Sequence, residues 1–123
     1  MQTPLQLTFR SMPHSDSIAA HIHARAEKLE RLCDRVVSCH VVVGLAGHHH
    51  RNGDRFHVSI NLGLPGHELV VNHDAADARQ SESVSVAADH AFDEAERQLE
   101  GWVDRQRVRR HEGGADSRDP ALS

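Results

Sequence analysis

An α+β fold is what this sequence predicts: a two-layer β-α-β-β-β-α domain, one four-stranded sheet with two helices on one face. Three observations predict it. Four short segments alternate apolar with polar residues or are rich in β-branched ones, as strands do. Two longer segments repeat apolar residues at spacings of three and four, the period of a helix resting on a core. No apolar run approaches the roughly 18 residues that a membrane-crossing helix needs. The chain has 123 residues and is 38% apolar, enough for one modest core. Aromatic residues are only 3%, so that core must rest on Val, Leu, Ile and Ala.

The first strand is PLQLTFR, where Leu5, Leu7 and Phe9 alternate with Gln6, Thr8 and Arg10. MPHSDS then turns the chain, with Ser15 or Asp16 as a helix N-cap. Residues 16–34 predict a helix whose apolar arc is Ile18, Ile22, Ala26, Leu29 and Cys33. VVSCHVVVGL is a second strand. AGHHHRNGD turns, with Asn52-Gly53 as the strongest local signal. RFHVSINL alternates, with Phe56, Val58, Ile60 and Leu62 inward and His57, Ser59 and Asn61 outward. GLPGH turns again, ELVVN is the fourth strand, and residues 73–83 read as loop. Residues 82–109 predict a long helix with the stripe Val84, Ala88, Ala91, Phe92, Ala95, Leu99, Trp102 and Val103. The domain is expected over residues 1–110. HEGGADSRDPALS, 111–123, has no periodicity and is expected to be a disordered tail.

The charge is unevenly spread. Residues 1–65 hold 7 Lys/Arg against 5 Asp/Glu, residues 66–104 hold 2 against 10, and residues 105–123 hold 5 against 3. On the first helix His21, Arg25, Lys28, Arg31 and Arg35 fall on one edge. On the second, Asp89, Asp93, Glu96, Glu100 and Asp104 line a flank that reads as solvated. Arg105, Arg107, Arg109 and Arg110 then close the helix. If both helices cover one sheet face, the two basic groups form a track for a phosphate backbone. No exposed aromatic is expected, which points away from single-strand readers and toward recognition of structured RNA by shape and phosphate contacts.

Twelve histidines raise the question of metal. His48, His49 and His50 are consecutive on an expected loop, and His57 and His40 lie on outward strand faces. Such residues need not converge, and zinc needs convergent ligands with a supporting shell. The tract reads as a hydrated hairpin turn; no metal or other cofactor is expected, with His48, His49, His50 and His57 the only candidates. As pH-dependent cations the histidines would add positive charge in mild acid. Cys33 and Cys39 read as reduced thiols. No nucleophile elbow, P-loop or GxGxxG is present, so no enzyme is expected.

Three stretches carry a resemblance: PLQLTFRSMPHSDSIAAHIHARAEKLERLCDRVVSCHVVV, FHVSINLGLPGHELVV and SVSVAADHAFDEAERQLEGWVDRQR. Together, over about residues 4–110, they resemble the ribosome hibernation-promoting factor family, also called ribosome-associated inhibitor A or sigma-54 modulation protein. The resemblance implies a fold similar to double-stranded-RNA-binding domains. It implies a cytoplasmic, non-enzymatic inhibitor of translation. Such a factor binds the small ribosomal subunit (16S rRNA) near the decoding centre and keeps 70S ribosomes idle in stationary phase or stress. No membrane or DNA partner is implied, and a monomer or weak dimer is expected. The family's basic positions fall here on Arg25, Lys28, Arg35, Arg97, Arg105 and Arg107. Glu94, Gly101 and Val103 stand where lysines are common in the family, and Val86 where an aromatic is frequent, which implies fewer phosphate contacts. The end of the chain fits a short member or a piece of a longer one. The alternative expectation is a histidine-rich, metal- or pH-responsive binding module on the same fold with weak or no ribosome affinity.

Overall fold

The structure, a computed structural model, describes residues 3–46, 55–74 and 83–116. Six elements follow in the expected order: β1 (Gln6–Arg10), α1 (Asp16–Leu32), β2 (Ser38–Ala46), β3 (Arg55–Leu64), β4 (His67–Asp74) and α2 (Val84–Asp116). The sheet order is β1-β2-β3-β4. β1 pairs parallel with β2 through the α1 crossover, and the other two pairings are antiparallel.

Local chemistry starts and stops these elements. The Ser15 hydroxyl accepts the Ile18 N–H at 3.3 Å and caps α1. The Ser83 hydroxyl accepts the Val86 N–H at 3.2 Å and does the same for α2; each satisfies a donor that has no partner within the helix. α1 ends at Leu32, short of the expected 34, because Cys33 is already extended while its N–H donates to the Leu29 carbonyl. Pro65 and Gly66 join β3 to β4, and Gly66 takes a φ of +67°, which a side chain would resist. Gly44 serves a different need. A Cβ there would stand 2.8 Å from the Arg10 carbonyl oxygen, so its absence lets β1 close onto β2.

Of the inward positions read from the alternation, Val58, Ile60 and Leu62 are in the core, while Leu5, Leu7, Phe9 and Phe56 pack against it partly buried. Val41, Val43, Val58, Ile60 and Leu62 are fully buried on one sheet face. Ile22, Ala26 and Leu29 of α1 and Ala87, Ala88, Ala91, Phe92, Ala95 and Leu99 of α2 cover them. The small alanines let α2 lie close to the sheet, and Phe92 fills the space between. Cys33 and Cys39 are both free thiols in this core. Burial, with the Glu30 charge behind it, pushes the Cys39 thiol up to about 12, so it acts as a packing group rather than a nucleophile.

One expectation shifts at the C-terminal end. α2 runs on to Asp116 rather than stopping at 109, so part of the stretch expected as tail is helical. Missing apolar periodicity does not end a helix, which propagates by its own backbone hydrogen bonds until something blocks it. The first proline beyond 109 is Pro120. Residues 117–123 lie outside the described residues, as do His48–His50, Asn52-Gly53 and residues 75–82 of the expected loop.

Candidate nucleic-acid interface

The strand order makes the two helices run in the same direction across the sheet. Their cross-links show it: His21 Nε2 meets Asp89 Oδ1 at 2.8 Å, Arg25 reaches on to Asp93, and Lys28 Nζ stands 3.6 Å from Glu96 Oε2. Parallel helices bring Arg31, in the last turn of α1, to the same end of the sheet as Arg105, Arg107 and Arg109, which α2 carries before its last turns.

Arg25 is not part of that end. Its guanidinium donates to Asp89 at 2.6 Å, to Asp93 at 2.8 Å and to Glu96 at 3.0 Å. Its carbon also stands 5.6 Å from the Phe92 ring centroid, and only 16% of the side chain is exposed. Burial alone would lower its pKa, but its hydrogen bonds to Asp93, Glu96 and Asp89 outweigh burial and hold it above the ordinary arginine value. Asp89 is the mirror case. Burial would raise its pKa, but the hydrogen bonds from His21 and Arg25 and their charges hold it below the ordinary carboxylate value. The open basic edge expected for α1 is therefore interrupted, and the flank expected to be solvated is in part an interhelical clamp. The signal was in the spacing. His21, Arg25 and Lys28 repeat at four and three residues, as do Asp89, Asp93 and Glu96, and two such rows on parallel helices interlock.

The other expected contacts separate into groups. Arg31 and Arg35 line one groove with Arg107, between the end of α1 and the side of α2. Arg35 lies beyond the end of α1, yet it joins Arg31 because its guanidinium carbon rests 5.2 Å from the Trp102 ring centroid. Lys28, 54% exposed, stands one turn before them. Arg105 and Arg109 share a different side of α2, around Val108. Arg97 is exposed and tied to Glu94 of its own helix, apart from the basic end. The side chain of Arg110 is outside the described residues.

The histidines are dispersed. His57 Nδ1 meets Asp74 Oδ1 at 2.6 Å, and His40 Nε2 meets the Thr8 hydroxyl at 3.3 Å. His40 pairs in register with Asn61, and His57 with Gly44, so the two are four positions apart along the ladder. Among the described residues no group of three or more His, Cys, Asp or Glu side chains is placed to hold a metal ion. Nor is any described helix long and apolar enough to cross a membrane.

Comparison with known proteins agrees with this fold. The chain is similar in structure to the N-terminal domain of Protein Y from Thermus thermophilus, with a TM-score of 0.62 and 26% identity over 79% of this chain and 94% of that one. It shares its fold with a ribosomal subunit interface protein from Coxiella burnetii, with a TM-score of 0.61 and 18% identity over 81% of this chain and 97% of that one. No curated protein matches it in sequence. The family model for sigma 54 modulation protein / S30EA ribosomal protein, a family of non-enzymatic ribosome-binding factors, matches residues 5–107. With the matched region spanning the whole sheet and both helices as far as Arg107, the chain belongs to that family.

Proposed function

We propose that this chain is a ribosome-associated translation inhibitor that binds the small subunit near the decoding centre and promotes hibernation in stationary phase or stress. The observation that carries the reading is the sorting of charge by the two parallel helices. Arg25 is spent on Asp89, Asp93 and Glu96, which offsets one charge of the acidic flank. Among the described residues Arg31 and Arg35 have no carboxylate partner. Together with Lys28, Arg107, Arg105 and Arg109 they form a cationic end on an otherwise acidic protein. Such an end orients the molecule toward phosphates and turns the acidic middle away. With Phe92 and Trp102 buried, contacts are made by charge and shape rather than by aromatic stacking platforms.

Chemical probing of 16S rRNA in small subunits, with and without the protein, tests the reading. Protection is expected around the decoding centre, together with loss of translation in a reconstituted system. Binding to the subunit with protection confined elsewhere would remove the decoding-centre assignment.

A further inference from the structure

The groove between the end of α1 and α2 has about 410 Å³ of space, within the range of about 300–1,000 Å³ that small-molecule sites occupy. Its floor is apolar, made by Trp102, Val103 and Leu32, and Leu32 is 39% exposed although it is a large hydrophobic residue. Its rim is cationic, made by Arg31, Arg35 and Arg107; Asp34 also lines it. The seating of Arg35 on Trp102 matters most. A cation over an indole face is attracted by the ring quadrupole, which fixes the guanidinium in place without using its N–H donors on a carboxylate. A planar guanidinium held this way is a surface on which a base stacks and a fork that a phosphate accepts from.

We propose that this groove holds a single unstacked nucleotide. Its base lies against Arg35 and the Leu32–Val103 floor, and its phosphate is gripped by Arg31 and Arg107. The inference rests on the RNA-binding reading above where the nucleotide belongs to an RNA strand. A free mononucleotide offers the same chemistry, and the experiment separates the two.

Trp102 is the only tryptophan, so intrinsic fluorescence reports on the groove directly. Titration with adenosine monophosphate is expected to give a saturable change, with adenosine and inorganic phosphate each binding about tenfold more weakly or worse. Val103→Asp and Arg35→Ala should abolish it. Arg35→Lys, which keeps the charge and loses the planar fork, should weaken it by about tenfold. Arg10→Ala, exposed on β1 and away from the groove, should leave it unchanged. Thermal melts establish that each variant is folded.

A hairpin RNA with one bulged adenosine is then compared with its fully paired counterpart. Tighter binding of the bulged form, with displacement of the mononucleotide, identifies the ligand as an RNA nucleotide. Mononucleotide binding without any gain from the bulge identifies it as a free nucleotide. Phosphate binding as well as the mononucleotide, or an unchanged response in Arg35→Ala, overturns the proposal. If no mononucleotide binds but the protein still associates with small subunits, the groove inference fails alone. If neither occurs, both readings fall.

Discussion

Arg25 and Arg31 stand on the same helix and do different work. Arg25 is enclosed by three carboxylates from α2, so removing it leaves those charges facing one another in a partly dry interface. Arg25→Ala is expected to cost about 2–3 kcal/mol in chemical denaturation. Arg31→Ala should change stability by no more than about 0.5 kcal/mol while weakening RNA binding. Asp89 gives the clamp a pH signature. Its folded pKa lies below the ordinary 3.8, so the folded state binds its proton less readily than the unfolded state does. The resulting stability is present above the ordinary carboxylate pKa and is lost as pH falls through the lower folded value. Asp89→Asn should therefore unfold at a lower denaturant concentration than the parent near neutral pH, and the two should converge below pH 3.8. Persistence of the full difference in acid would show that the carboxylate charge is not what stabilises the clamp.

At the scale of elements, α2 has two parts. From Val84 to Trp102 it presents a buried face to the sheet; beyond Trp102 none of the side chains described is fully buried. The second part carries Arg105, Arg107 and Arg109 and leaves Val108 57% exposed. Amides beyond about residue 105 should exchange with solvent faster than those of the buried part, since few contacts hold them. An Arg105/Arg107/Arg109→Gln variant should keep the parent's denaturation midpoint and lose up to about one unit of salt slope per phosphate contact removed. Loss of stability instead would mean that this part of the helix packs on something. The strands, the buried stripes and the helix starts were legible because burial imposes a period that residue types reveal. The helix ends were less so. α1 stops where Cys33 turns extended to enter the core, and α2 continues because nothing blocks it. The interhelical clamp was hidden for a further reason. A row of carboxylates reads as solvated until the partner row is known to lie beside it, and the partner row depends on the direction of a distant helix.

For the whole molecule, topology does the sorting that composition hides. The net charge is −4, which by itself argues against an RNA partner. The crossover β1–α1–β2 and the two antiparallel pairings that follow set α1 and α2 parallel. That brings Arg31 and Arg35 beside Arg107 and sets the opposite charges of the two helices in register. Of the basic residues expected to meet phosphate, the fold brings Arg31, Arg35 and Arg107 into one groove, sets Lys28 close by, turns Arg105 and Arg109 to another side, and withdraws Arg25. Cosedimentation with small ribosomal subunits across a salt series, beside an Arg31→Gln/Arg35→Gln variant, tests this account most directly. The protein should pellet at low salt, with log affinity falling linearly against log salt, and the variant should bind more weakly with a slope shallower by about two units. A protein that stays in the supernatant at low salt, or a variant that binds with the parent's affinity and slope, would contradict it.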